Sequence, residues 1–172
     1  MEQVILVDGQ DNELGYEEKY ACHKIPSRLH RAISVFIFNN KNELLVQKRS
    51  SEKKTWPSFW SNTVCSHPRP DEPPELAAKR RLEEELGFSC DIEHIFHFIY
   101  KADYDKTWGE NEFDHVFIGQ YDGPVKPNPD EIDEIKFVAI DQLKKDVENH
   151  PEKYTPWFKM CMNRVLSHVA KQ

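Results

Sequence analysis

Nowhere in the 172 residues does an apolar run approach the roughly 18 residues that cross a bilayer as a helix. The first residues, Met1-Glu2-Gln3-Val4-Ile5-Leu6-Val7-Asp8, lack the basic start and long apolar core of a secretory leader. Both absences lead us to expect a cytoplasmic protein with no membrane partner. Cysteine is sparse: Cys22, Cys65, Cys90 and Cys161 stand far apart with no C-x-x-C pair, which speaks against a disulfide framework and a thiolate-rich zinc site. Positive charge is in deficit, 23 Lys and Arg against 30 Asp and Glu for a net −7. Such a chain gains nothing from the phosphate attraction that drives nucleic-acid binding, so no nucleic-acid partner is expected. A small anion would have to be met by local cations or a metal. Internal repeats, low-complexity tracts and linkers are missing too, so a chain of this length should form one domain, 1–172, burying about 70% of its unfolded surface around one core.

What the chain does have is 38% hydrophobic and 31% charged residues, a globular mix. Val4–Val7 reads as a strand ended by the turn cluster Asp8-Gly9-Gln10-Asp11-Asn12, and Glu17–His23 as a helical turn. The β-branched and aromatic runs 31–38 and 44–49 flank Asn39-Asn40-Lys41-Asn42 and predict a hairpin. Residues 50–74 break the pattern with Trp56, Trp60, Cys65, His67 and several prolines, a long ordered loop of the kind that carries function. Pro74–Leu86 predicts a helix, with Asp71 or Glu72 near its start, prolines in its first turn and Gly87 as its stop. Strands are expected at 92–100, 113–121 and 135–140, and helices at 141–148 and 156–170, the last with Trp157, Cys161, Val165 and Leu166 on related faces. The fold class is therefore α/β or α+β, a sheet packed by helices.

At 100° per residue, Ala78, Leu82 and Leu86 form one apolar stripe of the helix, with Arg81 and Glu85 on its border. By itself such an i,i+4 pair is an ordinary ion pair worth a few tenths of a kcal/mol. Its surroundings say more. Glu72, Arg80, Leu82, Glu84, Glu85, Gly87 and Phe88 fall on the spacing G-x5-E-x7-R-E-U-x-E-E-x-G-U, where U is bulky and apolar, so the stretch resembles the Nudix box. Ser66 replaces the first Gly and Arg81 the first Glu of R-E-U-x-E-E. Hydrolysis in that superfamily relies on carboxylates of this helix holding Mg²⁺, so a cation in one of their places weakens the hydrolytic cluster. The resemblance implies a Nudix-like mixed sheet packed between helices that has left pyrophosphate hydrolysis.

His23, His30 and His67 flank predicted strands, and Glu110 and Glu112, at i and i+2 of an extended segment, project to one face. Three imidazoles and two carboxylates suit one divalent transition ion, Mn²⁺, Zn²⁺ or Fe²⁺ rather than Ca²⁺. His94, His97, His115, His150 and His168 read as ordinary surface or core residues. The segments Glu18-Lys19-Tyr20-Ala21-Cys22-His23, Arg28-Leu29-His30-Arg31-Ala32, Trp60-Ser61-Asn62-Thr63-Val64-Cys65-Ser66-His67-Pro68 and Glu110-Asn111-Glu112 together resemble type I isopentenyl-diphosphate isomerases, from about Val4 to Trp157.

That resemblance implies movement of a double bond in a five-carbon diphosphate. An unactivated alkene is a poor base, so the site needs a strong acid on one face of the carbon chain, a base on the other, and no water near the tertiary carbocation between them. By resemblance Cys65 and Glu112 are that pair, with Glu112 delivering or relaying the proton, Tyr100 hydrogen-bonded to its carboxylate and Trp157 as an aromatic wall. Lys19, Arg49, Lys53 and Arg81 would receive the diphosphate together with Mg²⁺ held by Glu85. His23, His30, His67, Glu110 and Glu112 would hold the transition metal, Mn²⁺ or Zn²⁺. Asn62 and Trp60 are expected to shape the pocket, and 103–109 to be a hairpin tip. The partner is a small-molecule diphosphate, and the protein is expected as a monomer or weak dimer. Two other readings stay open: a Nudix hydrolase of a nucleoside diphosphate derivative, and a non-catalytic domain stabilised by a closed metal site.

Overall fold

The computed structural model describes residues 1–171; Gln172, the last residue of the expected domain, lies outside them. Nine strands form one mixed sheet. Its centre is β3 (His30–Phe38), whose residues are buried along nearly their whole length, as a strand covered on both faces requires. β3 runs parallel to β8 (Gly109–Gln120) from His30↔Glu112 to Phe38↔Gln120. β8 pairs antiparallel with β7 (Ile92–Asp103), joined by the hairpin tip expected around 103–109. The other edge of β3 is shared by β1 (Gln3–Val7), β6 (Val64–Ser66) and β4 (Glu43–Arg49). Outside them lie β2 (Glu13–Glu18) beside β1, and β5 (Trp60–Ser61) and β9 (Ile132–Ala139) beside β4.

Three expectations are corrected here. The turn between 31–38 and 44–49 exists, but its strands pair only at Phe38↔Leu44; beyond it β3 takes β8 and β4 takes β9 as long partners. Both strands are apolar on both faces, so each gains more by lying between neighbours than by forming a two-stranded ribbon. Residues 17–23 are not one helical turn: β2 runs through Glu18, and only α1 (Lys19–His23) is helical, with the Glu18 carboxylate accepting from Ala21 N. Neither Asp71 nor Glu72 caps α2 (Pro74–Leu86), which starts from Pro73 without a side-chain cap.

Even-numbered residues of β3 and β8 face one way. Phe36, Phe38, Val116 and Ile118 pack there under α3 (Ile140–Asn149) and α4 (Pro156–Val169), which supply Leu143, Trp157, Phe158, Cys161, Val165 and Leu166. Ile33, Val35, Ile37 and Phe117 face the other way, against Ala78, Leu82 and Leu86 of α2, all three without exposed surface. The sheet is thus packed between helices, and this burial is the main driving term for the layers. Gly87 closes α2 at φ 72°, the left-handed turn that favours glycine.

Candidate active site

Strand register assembles the centre. His30 on β3 lies directly opposite Glu112 on β8, and Glu112 opposite Tyr100 on β7, so three strands set these side chains in one row. His67 follows β6, and His23 ends α1. The five donor atoms of His23, His30, His67, Glu110 and Glu112 lie within 4.8 Å of one another and all five residues are buried. His23 Nε2 is 2.9 Å from Glu110 Oε2, His67 Nε2 is 2.9 Å from Glu112 Oε1, and His30 Nε2 is 3.5 Å from that same oxygen.

These contacts have the character of a cation cage. His23 Nδ1 sits 2.6 Å from Lys19 O and His30 Nδ1 2.8 Å from Arg28 O, and a carbonyl can only accept, so both rings carry the proton on Nδ1. With Nδ1 protonated, each of these rings turns Nε2 toward a carboxylate oxygen, the arrangement in which nitrogen and oxygen ligands converge on one ion. Glu110 Oε2 accordingly makes no hydrogen bond despite its short approach to His23. The donor set fits a divalent ion. Thr55 Oγ1 donates to the other oxygen of Glu110 at 2.9 Å and fixes its orientation.

A cavity of about 300 Å³ opens beside this cluster, lined by Cys65, Tyr100, Glu112 and Trp157 together with Lys19, Arg49, Lys53 and Arg81. Tyr100 donates a short hydrogen bond to Glu112 Oε2, and burial, together with the adjacent Glu112 charge, pushes its phenol well up. Burial also pushes the Cys65 thiol up to about 11, opposed by Arg49, whose Nη1 lies 3.7 Å from the sulfur. Trp157 is held by its indole N–H, which donates to Ser61 Oγ at 3.1 Å, and by an edge contact with Trp56 at 5.4 Å. The Arg49 guanidinium rests 5.2 Å from the Trp157 ring centre.

Most of the expected site residues therefore converge, with three differences. Glu85 does not line the cavity: it is 3% exposed behind Arg81, which donates to its Oε1 at 2.6 Å, while Gln47 Nε2 reaches its Oε2 at 3.2 Å. Trp60 lies under Lys136, 4.1 Å above its ring, and Asn62 bonds the carbonyls of Val35 and Val64; neither lines the cavity, and both brace the strands behind Cys65. The tip 103–109 contributes more than a turn. Trp108 lines the cavity, and Lys54 Nζ lies 4.8 Å from its ring centre and 4.4 Å from that of Tyr20. Sequence reasoning missed Thr55, Gln47, Lys54, Trp108 and Glu131, which stand in no spacing pattern, and assigned no role to Tyr20 although it lies within the Glu18–His23 motif.

The NUDIX domain family model matches residues 28–158. The chain is 47% identical over 166 residues to the isopentenyl-diphosphate Delta-isomerase 1 of Aromatoleum aromaticum, covering 96% of this chain and 93% of that protein. It is 41% identical to the isopentenyl-diphosphate Delta-isomerase I of Camptotheca acuminata, covering 99% of this chain and 85% of that one. Among solved structures, DR0079 from Deinococcus radiodurans matches with a TM-score of 0.71 at 19% identity, over 86% of this chain and 90% of that one. The MutT protein from Methanosarcina mazei Go1 matches with 0.67 at 21% identity, over 84% and 96%. These last two likenesses concern the fold alone. By the family model that matches residues 28–158 and by its sequence relatives, the chain belongs to the NUDIX-domain family and, within it, to the isopentenyl-diphosphate Delta-isomerases.

Proposed function

We propose that this protein interconverts isopentenyl diphosphate and dimethylallyl diphosphate. The observation that carries the reading is the meeting of Cys65 and Glu112 in one cavity that Tyr100, Trp157 and four cations, Lys19, Arg49, Lys53 and Arg81, also line. One member of the pair gives a proton to the terminal alkene carbon, leaving positive charge on the tertiary carbon. The other takes a proton from the neighbouring carbon, and that C–H electron pair becomes the new double bond. Burial leaves the Cys65 thiol a weaker acid than a free thiol, so Glu112 delivers or relays the proton, and Cys65 accepts one after its own has moved to the carboxyl side. Tyr100 holds Glu112 in place and offers that side a relay. The Trp157 face stabilises the carbocation by about 2 kcal/mol once water is excluded.

His23, His30, His67, Glu110 and Glu112 would hold Mn²⁺ or Zn²⁺, which as a Lewis acid would make a proton on the Glu112 carboxyl group more acidic. Mg²⁺ suits a single protein carboxylate plus phosphate oxygens, the role open to Glu85 once Arg81 turns to the substrate. Residues 1–172 act as one isomerase domain, with Lys19, Arg49, Lys53 and Arg81 receiving the diphosphate. The test is incubation of isopentenyl diphosphate in heavy water, following deuterium in the carbon skeleton and phosphate release. Label without phosphate release is expected; phosphate release without label would make the protein a hydrolase instead. Cys65→Ala and Glu112→Gln should each lower kcat at least about a thousandfold, and retained activity in either would remove that residue from the pair.

A further inference from the structure

Glu131 lines the same cavity, stands outside the metal cage and touches two of the cations assigned to the diphosphate, yet has no role in that reading. It belongs to the β8–β9 connection, and its two oxygens bridge two of the cations assigned to the diphosphate. Oε2 is ion-paired with Lys53 Nζ, and Oε1 lies 3.2 Å from Arg81 Nη2. The side chain is 25% exposed and lines the cavity. Burial alone would raise its carboxyl, yet Lys53 and Arg81 overcome this and hold it down at about 2. Its backbone is equally fixed: Ser50 N donates to Glu131 O at 3.0 Å, and Asn128 N to Glu85 O at 2.8 Å, fastening the connection both to the end of β4 and to the end of α2. Lys19 is paired in the same manner, with Glu2 at 3.0 Å.

We propose that Glu131 is a built-in stand-in for the substrate's diphosphate, occupying the donors of Lys53 and Arg81 until the diphosphate displaces it. The proposal rests on the assignment of those two cations to the diphosphate. Its physical basis is competition between anions for the same N–H groups. A carboxylate spanning two cations keeps them oriented in the empty site and repels any bare phosphate that approaches. A diphosphate carrying its own divalent cation suffers less of that repulsion, so Glu131 makes the site selective for the metal complex of the ligand over the free anion. Glu131 acts through Lys53 and Arg81 and touches no reacting carbon, which makes it a positioning residue.

The experiment is calorimetric titration of inorganic pyrophosphate into the Mn²⁺-loaded full chain, with and without added Mg²⁺, for wild type, Glu131→Gln, Glu131→Asp and Lys53→Met. Glu131→Gln should bind magnesium-free pyrophosphate about tenfold more tightly, and the gain in affinity from Mg²⁺ should shrink. Its KM for isopentenyl diphosphate should fall more than its kcat. Glu131→Asp, which keeps the charge, should retain the dependence on Mg²⁺. Unchanged or weaker pyrophosphate binding in Glu131→Gln, with binding weakened in Lys53→Met, would overturn the proposal and leave the diphosphate site standing. Unchanged binding in Lys53→Met would place the diphosphate elsewhere, and the proposal would fall with that assignment.

Discussion

Asp114 shows how much chemistry a single side chain can carry outside the reaction. It has no exposed surface and follows Glu110 and Glu112 on the same face of β8. Its Oδ2 accepts from Ser34 Oγ at 2.7 Å, and its Oδ1 has no partner among the described residues. Burial, then repulsion from Glu112, raises its carboxyl well above the ordinary aspartate value against the opposing Ser34 hydrogen bond. The folded state therefore binds this proton more tightly than the unfolded one. Its stability contribution is present below the unfolded value near 3.8 and is lost as pH rises through the folded value. Asp114→Asn should accordingly be more stable than wild type at pH 8, the difference closing toward pH 4; urea unfolding at a series of pH values reads this, and a pH-independent difference would remove Asp114 as its source. The residue scale was only partly legible in sequence. Cys65, Glu112 and the three histidines stand in recognisable motifs. Thr55 orients Glu110 across 55 residues, and Gln47 reaches Glu85 across 38, so no local spacing announces them.

At the scale of elements, α2 is the most locally determined piece. Its stripe, its prolines and its glycine stop all follow from the sequence between 74 and 87. A Cβ at position 87 would lie 3.2 Å from Lys126 Cβ as well as in the left-handed region, so Gly87→Ala should cost about 1–2 kcal/mol from conformation alone. A denaturation midpoint unchanged from wild type would contradict this. The β7–β8 hairpin is the opposite case. Its existence was legible, whereas its use was not, because Trp108 becomes part of the site only where the tip meets α1 and the loop after β4. The tip is pinned there by Ile25 N donating to Thr107 O at 2.9 Å and by Tyr104 packed on Trp56 at 5.2 Å. Trp108→Ala should raise KM several-fold while leaving kcat near wild type, as loss of a cavity wall remote from the proton transfers requires. A collapse of kcat at unchanged KM would put Trp108 in the chemistry itself.

At the scale of the whole molecule, the two hydrophobic clusters on either side of the sheet contain none of the five cage residues. The fold should therefore survive chelation, while metal relieves the crowding of buried carboxylates and imidazoles. Stability should rise with free Mn²⁺ or Zn²⁺ by about 4 kcal/mol at a thousandfold excess over Kd. Thermal melts across a metal titration measure this, and unfolding on chelation would instead favour a purely structural metal site. The sequence by itself determined the family, the chemical inventory, the helix at 74–86 and the β-branched and aromatic runs that make the central strands apolar. These follow from local conformational preference and from residue types, which act within a few turns or one strand. Only the tertiary structure decided that β3 lies parallel to β8 with His30 against Glu112, that Gln47 reaches Glu85, and that Glu131 bridges Lys53 and Arg81. Those pairings join segments as distant as Ser34 and Asp114, 80 residues apart. They are fixed by covering both faces of one sheet at once and by the need of each buried charge for a partner, conditions that no stretch of chain meets alone.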